Sequence, residues 1–570
     1  MHAGTWKTMA GAALCALVAA CGGGGGGDVD LTLRNTTLGQ VQGASDPQTA
    51  TLSWKGIPFA QPPVGALRWK APQDPAPWST TRQAKAFGNA CIQNGRIYGP
   101  GSNNTYDATI GTTLNTPVGS EDCLTLNVWR PAAQTIGLPV IYFVYGGSDI
   151  SGYTADPVYD GAKLAAAANA VVVTANYRVG PLGFFNMAAL KSGTNSAEDS
   201  GNFALLDIIQ TLKFIKNNAA NFGGDPNNVT LMGQSAGAIN VYALLAAPSA
   251  AGLFQRAIPI SGGISLQTDL PTGQLAILTP VSTYAGQSGA LLTKLLIADG
   301  TATDATSATA WITSHSSADI AAYMRAKDAK TLLTTLLLNG LTGSGPIADG
   351  TFLPASPIAA INAGNYNKVP VLAGNTAEEG KLFGALLPLF GLPSGYKIND
   401  ATRFATMMNF NPDASPPALG EADVLDPSYV PSNTPATGWS ARAAVLTNIW
   451  IYANRDNVLN ALKSKQSNVW YYQFNWAQEP APWNTVYGAA HAFDLPFIFG
   501  NFGPSLFSNV ANSTANKPGR LELSDAMMAT VAAFAKNGDP NNAALGVTWQ
   551  PWPSKLFFDA TAAHKAISTQ

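Results

Sequence analysis

Gly233-Gln234-Ser235-Ala236-Gly237 is the stretch whose residue types and spacing could do covalent chemistry. The apolar run Asn228-Val229-Thr230-Leu231-Met232 leads into it, and Ala238-Ile239-Asn240-Val241-Tyr242-Ala243-Leu244-Leu245 follows with helical character. Strand, sharp turn and helix would lift the Ser235 hydroxyl out at a helix N-terminus. There the free N–H groups and the dipole favour negative charge. A serine hydroxyl is a weak nucleophile alone, so the reading demands a base, an acid to orient that base, and an oxyanion hole. Gly-x-Ser-x-Gly is by itself a weak signal in a chain with 56 glycines among 570 residues. A glycine-rich surface turn would look the same, and the partners decide.

The base should be one of four histidines. His2 lies in the leader described below, His315 in the polar run Ser314-His315-Ser316-Ser317, and His564 close to the C-terminus, where chains fray. His491, in Gly488-Ala489-Ala490-His491-Ala492-Phe493-Asp494, is the best candidate; a packed histidine satisfied by Asp494 is the alternative. The acid is expected between serine and histidine in the chain. Val371 to Gly380 reads as a strand ending in a loop with two adjacent glutamates, Glu378 and Glu379. Either could hold the imidazole tautomer, although a solvated turn is the common fate of paired glutamates. For the oxyanion hole, Tyr145-Gly146-Gly147-Ser148 follows the apolar run Pro139 to Val144 and can offer backbone N–H groups.

The elements that must position these residues alternate along the chain. Residues 29–60 read as short antiparallel strands. Buried-type strands are expected at Leu124 to Trp129, Pro139 to Tyr145 and Ala170 to Asn176, with helices at Gly161 to Ala168 and Leu205 to Ala220. Residues 264–345 look like a cap insertion, helical near Ala290 to Ala298 and Ala318 to Leu338. Strands return at Val369 to Ala373 and Val469 to Trp476, separated by a mainly helical region over 381–465, and Ser524 to Lys536 is a helix. Strand–helix alternation implies an α/β fold with a large, mostly parallel sheet and helices on both faces. No internal repeat is visible.

Composition bounds the rest. At 46% hydrophobic the chain can bury a large core. Charged residues make up 12%, about half the usual share, and net charge is −2 with no basic cluster, which argues against a nucleic-acid partner. Lys7 precedes an apolar run from Met9 to Ala20, too short to span a bilayer and typical of a signal peptide over residues 1–20. Leu17-Val18-Ala19-Ala20-Cys21 resembles a bacterial lipobox, which implies cleavage before Cys21 and lipid on its thiol. Residues 21–28 would then be a lipidated, glycine-rich tether reaching roughly 13 Å. The expected location is an exported protein anchored to a cell-envelope membrane through Cys21, with simple secretion as the alternative. Of the four cysteines, Cys15 would leave with the signal, so Cys91 and Cys123 remain as a pair in an oxidising compartment. They either close a disulfide or stay as two buried thiols. No metal-ligand cluster is apparent.

These motifs together resemble the type-B carboxylesterase and cholinesterase family of the α/β-hydrolase fold, over residues 29–570. Gly56-Ile57-Pro58-Phe59-Ala60 with Pro62-Pro63-Val64-Gly65 is similar to its N-terminal signature. Ser120-Glu121-Asp122-Cys123-Leu124-Thr125-Leu126-Asn127-Val128 resembles its second. Asn176-Tyr177-Arg178, Gly201-Asn202, Leu205-Leu206-Asp207 and Phe222-Gly223-Gly224-Asp225-Pro226 follow in family order. The resemblance implies a Cys91–Cys123 disulfide. It also implies Ser235 as nucleophile, His491 as base and Glu379, directly before Gly380, as the acid in preference to Glu378. Gly147, Ser148 and Ala236 become oxyanion donors, with Gly146 and Ser261 in support.

The chain departs from the family at Ser148, where glycine or alanine is usual, and at Gln234, where cholinesterases carry glutamate. The loop between Cys91 and Cys123 holds Tyr98 and Tyr106 but no tryptophan, which argues against a choline ester. Leu382 and Phe383 either line an apolar pocket or pack in the core. The implied activity is hydrolysis of small-molecule carboxylic esters through an acyl-enzyme, with no cofactor and no metal. The alternatives are a non-catalytic binding or adhesion protein of the same fold, and a surface esterase for polymeric or lipid esters.

Overall fold

The strand that leads into Ser235 lies in the middle of an eleven-stranded sheet. The structure, a computed structural model, describes residues 30–341 and 344–570. The expected signal peptide, the lipidation site Cys21 and the tether over 21–28 lie outside the described residues. Contacts divide the chain into a unit over Met1–Leu31 and a unit over Thr32–Gln570; every element below belongs to the second.

In chain order the sheet strands are β1 (Ala44–Asp46), β2 (Thr51–Pro58), β3 (Thr125–Pro131), β4 (Leu138–Val144), β5 (Val171–Ala175) and β6 (Gly224–Gln234). They continue with β7 (Arg256–Ile260), β8 (Val371–Thr376), β9 (Val469–Phe474), β10 (Leu556–Ala560) and β11 (Lys565–Thr569). Their order across the sheet is β1-β2-β3-β5-β4-β6-β7-β8-β9-β10-β11. From β5 through β10 every pairing is parallel. Antiparallel pairs close both flanks. Order inverts between β4 and β6, because β4 connects onward to β5 on one side while β6 connects to β7 on the other. The carboxyl ends of strands flanking such a switch point form a crevice, the usual ligand position in open α/β sheets.

The central strands read as continuous apolar runs because both faces are covered: β4, β5 and β7 are buried almost throughout. Helix α1 (Phe203–Asn218), helix α2 (Ala236–Ala246) and helix α3 (Lys517–Asn537) are among the elements that cover them. The Asn176-Tyr177-Arg178 motif ties the end of β5 to α1. Arg178 Nε and Nη2 donate to the two oxygens of Asp207 at 2.8 and 2.7 Å, and both side chains are buried. Losing one partner of such a pair strands a buried charge, at a cost of about 3–5 kcal/mol. In the same way Arg68 forks onto Glu121 at 2.6 and 2.7 Å. Next to it, Cys91 and Cys123 are joined as a disulfide across 32 residues, which stabilises by about 3–4 kcal/mol in the chain-entropy picture.

Two expectations need correcting. The helical run expected over Ala318 to Leu338 is two helices, Ser317–Ala326 and Ala329–Leu338, broken where Asp328 turns to cap the second. A further helix, Ala305–Ser314, precedes them; His315 caps its end and stacks on Trp311 at 3.9 Å. The C-terminal segment does not fray. After the turn that carries the exposed His564, Lys565–Thr569 pairs antiparallel with β10 as the edge strand.

Candidate active site

Chemistry-bearing residues gather at the carboxyl ends of five strands that lie side by side. Gly146, Gly147 and Ser148 follow β4, Ser235 follows β6, Ser261 follows β7, Glu379 follows β8, and His491 follows β9. Chain positions from 146 to 491 are thus brought into one crevice by sheet order alone.

Ser235 sits at φ 57°, ψ −123°, a conformation that turns the chain sharply from β6 into α2. The turn passes so close to β4 that a Cβ on Gly237 would fall 2.0 Å from the Val144 carbonyl oxygen. Ser235 N donates to the Ile260 carbonyl at 2.8 Å, pinning the turn to β7. Opposite, Gly147 has φ 115°, and a Cβ there would lie 1.9 Å from Ser151 O, so only glycine fits. Ser148 follows at φ 59°, left-handed but open to a non-glycine residue. Among the described residues, no group accepts from the N–H of Gly147, Ser148 or Ala236. Three backbone donors without acceptors beside a serine at a helix N-terminus suit a developing oxyanion.

His491 and Glu379 are both buried, and His491 Nδ1 lies 2.5 Å from Glu379 Oε2. The other carboxylate oxygen accepts from Ser261 Oγ at 2.6 Å, Thr376 N at 2.9 Å and Asn375 Nδ2 at 3.0 Å. Burial pushes the Glu379 carboxyl up, but the His491 charge and hydrogen bonds from His491, Ser261 and Asn375 outweigh it and hold it below the ordinary range. Glu378 plays a different part: its carboxylate meets Lys381 at 2.7 Å and accepts from Ala489 N at 3.1 Å. Asp494, the alternative partner of His491, instead accepts from Tyr472 OH at 2.9 Å. Burial, then the Glu379 charge, pushes Asp494 up to about 7.

With Glu379 ionised, Nδ1 of His491 carries the proton, which leaves Nε2 as an acceptor. Gln234 Nε2 lies 3.2 Å from it and donates. The sequence marked Gln234 only as a missing anion, and this contact was not legible there. Gln234→Glu would set a carboxylate against the same nitrogen and favour the protonated ring. The acid limb of kcat/KM against pH should then move to higher pH by about one unit, because a neighbouring opposite charge favours the charged form. A limb that stays in place would contradict the Gln234–His491 contact.

Two cavities flank Ser235, about 160 Å³ and about 170 Å³, and Ser148, Ser235, Phe383, Trp450 and His491 border both. Each is on the order of the space that holds a benzene ring. The region over 381–465 walls the first, through Leu382, Phe383, Leu386 and Trp450. The insertion over 264–345 walls the second, through Ile277, Leu278, Tyr284 and Ser344. Leu382 and Phe383 therefore line a cavity, and the Phe383 ring also packs on His491 at 4.8 Å. Tyr98 lines the first cavity, whereas Tyr106 packs edge-on against Phe404 and accepts from Asn509. Trp450 was missed by sequence reasoning. It lies in a π-helical segment, Thr447–Tyr452, and packs edge-on against Phe383 at 4.8 Å. Such widened turns recur at functional sites but have no simple sequence signature.

The carboxylesterase family model matches residues 30–565 of the chain. The para-nitrobenzyl esterase of Bacillus subtilis (strain 168) is 30% identical over 521 residues, covering 91% of each chain. The fumonisin B1 esterase of Sphingopyxis macrogoltabida is 32% identical over 536 residues, covering 91% of this chain and 84% of that one. A solved structure of PNB esterase superposes with a TM-score of 0.68 at 28% identity, over 95% of this chain and 97% of that one. Sheet order, the residues gathered at the strand ends and these likenesses agree: the chain belongs to the carboxylesterase family, has the α/β-hydrolase fold and is a carboxylic ester hydrolase.

Proposed function

We propose that Ser235, His491 and Glu379 act as a catalytic triad that hydrolyses small carboxylic esters through an acyl-enzyme. The observation that carries this reading is the buried Glu379 carboxylate, with three donors on one oxygen and His491 on the other. Held so, the ring presents Nε2 as base. Ser235 Oγ attacks the ester carbonyl while Nε2 takes its proton, once the Gln234 amide yields that position. The carbonyl oxygen gains the negative charge and accepts from Gly147, Ser148 and Ala236 N–H. The carbon–oxygen bond to the alcohol then breaks, with the alcohol taking the proton from His491. Water, deprotonated by the same nitrogen, adds to the acyl-serine; the bond to Ser235 Oγ then breaks, Oγ takes the proton back from His491, and the acid leaves. From the leader sequence alone we further propose that the protein is exported and anchored through Cys21.

Paraoxon, a phosphate triester with a p-nitrophenyl leaving group, tests the nucleophile. It should release one equivalent of p-nitrophenol per chain and leave a diethylphosphoryl group on the peptide carrying Ser235, read by mass spectrometry. A label on another residue, or none, would overturn the assignment.

A further inference from the structure

The lining of the first cavity includes charged residues, and the reaction described above gives that charge no task. Two arginines and one aspartate are among its lining residues: Arg96, Arg403 and Asp400. Arg403 is buried; its Nε and Nη1 meet no acceptor among the described residues, while Nη2 donates to Asp400 at 2.7 Å and the group stacks 3.9 Å over the Tyr396 ring. Arg96 has no such partner. Among the described residues, none of its guanidinium N–H groups meets an acceptor, and its Nε is closed off from solvent besides. Buried donors without acceptors are uncommon in folded proteins. Since Asp400 neutralises Arg403, the wall keeps one uncompensated positive charge, although the chain as a whole carries −2.

The backbone that carries Arg96 is held in place. Arg96 lies in the loop closed by the Cys91–Cys123 disulfide. Gly95 N donates to Thr116 O at 2.9 Å just before it, and Gly99 N donates to the Arg96 carbonyl at 2.9 Å just after it. A fixed backbone reduces what must be ordered when a ligand arrives. The same lining includes the apolar side chains Leu382, Phe383, Leu386 and Phe507. Low polarity strengthens a charge–charge contact relative to water, and a guanidinium fork matches a carboxylate in two parallel hydrogen bonds.

We infer that this cavity selects esters bearing a second, ionised carboxylate, which the Arg96 guanidinium holds while Ser235 attacks the ester carbonyl. The substrate class is thus half-esters of dicarboxylic acids, or acyl esters of hydroxy acids, according to which side of the ester enters this cavity. The inference rests on Ser235 as the nucleophile. Arg96 would be a specificity residue, since it touches substrate away from the reacting atoms.

Two substrate pairs test it. Monoethyl adipate against ethyl hexanoate places the carboxylate on the acyl side, and 6-acetoxyhexanoate against hexyl acetate places it on the alcohol side. For each pair the readout is the ratio of kcat/KM, anionic over neutral, measured on one preparation so that the folded fraction cancels. The wild-type ratio in one pair should exceed that in Arg96→Gln by about tenfold, with Arg96→Lys in between. It should also fall as sodium chloride is raised, since salt screens the contact. Equal ratios in wild type and Arg96→Gln for both pairs would overturn the inference while leaving the esterase intact. Failure of the underlying reading would look different: Ser235→Ala would then hydrolyse ethyl hexanoate as fast as wild type.

Discussion

Ser235→Ala will lower kcat for p-nitrophenyl butyrate by about 10⁶, the scale seen when the nucleophile of a serine hydrolase is removed. The magnitude follows from what stays behind. His491 would still be oriented by Glu379 at 2.5 Å, but it has no hydroxyl to activate. The N–H groups of Gly147, Ser148 and Ala236 would still polarise a bound carbonyl, so a residual rate about 10³–10⁴ above water is expected from them and from binding. Stability should change little. Ser235 holds φ 57° and ψ −123°, and alanine carries the same Cβ into that conformation, so the strain is neither relieved nor increased. Thermal unfolding of the two proteins should therefore coincide within a few degrees. A variant that keeps more than about 1% of wild-type kcat, with an unchanged melting curve, would remove Ser235 from the mechanism.

The turn around Ser235 was legible because its signal is local. A strand, a Gly-x-Ser-x-Gly turn and a helix occupy one continuous stretch, and the observed strand and helix, Gly224–Gln234 and Ala236–Ala246, bracket the serine directly. The acid was less legible. Glu378 and Glu379 are adjacent and chemically identical, and only resemblance separated them. What distinguishes them is three-dimensional: Glu379 turns inward to Ser261, Asn375 and His491, while Glu378 turns toward Lys381. Cavity residues were legible only in part. Arg96, Arg403 and Trp450 share no sequence pattern, and they meet because the disulfide-closed loop and the region over 381–465 fold over the same strand ends. The edge hairpin of Leu556–Ala560 and Lys565–Thr569 was missed for another reason. Its strands are short, and the position near the terminus argued for fraying, whereas pairing with β9 through β10 holds it in the sheet.

Glu379→Gln should lower kcat by about 10⁴ while leaving the fold intact, because the amide would select the wrong histidine tautomer. The surroundings of Glu379 decide which way an amide lies. Three donors, from Ser261 Oγ, Asn375 Nδ2 and Thr376 N, converge on Oε1. An amide carbonyl can accept from them and an amide NH2 cannot, so the oxygen of the substituted side chain takes that side. Its NH2 group then occupies the place of Oε2 and faces His491 Nδ1, which is forced to become an acceptor. The ring proton moves to Nε2, the nitrogen that must take the Ser235 proton, and the base is blocked. The lost negative charge also removes support for the imidazolium formed during attack. Glu379→Asp separates the two effects. It keeps the charge and both acceptor oxygens but shortens the reach across the 2.5 Å contact, so its loss should be smaller than that of Glu379→Gln. Both losses would be read as kcat on one p-nitrophenyl ester, with melting curves run alongside. If Glu379→Gln retained wild-type kcat within about tenfold, the carboxylate would be a packing residue, and the orientation of His491 would have to come from elsewhere.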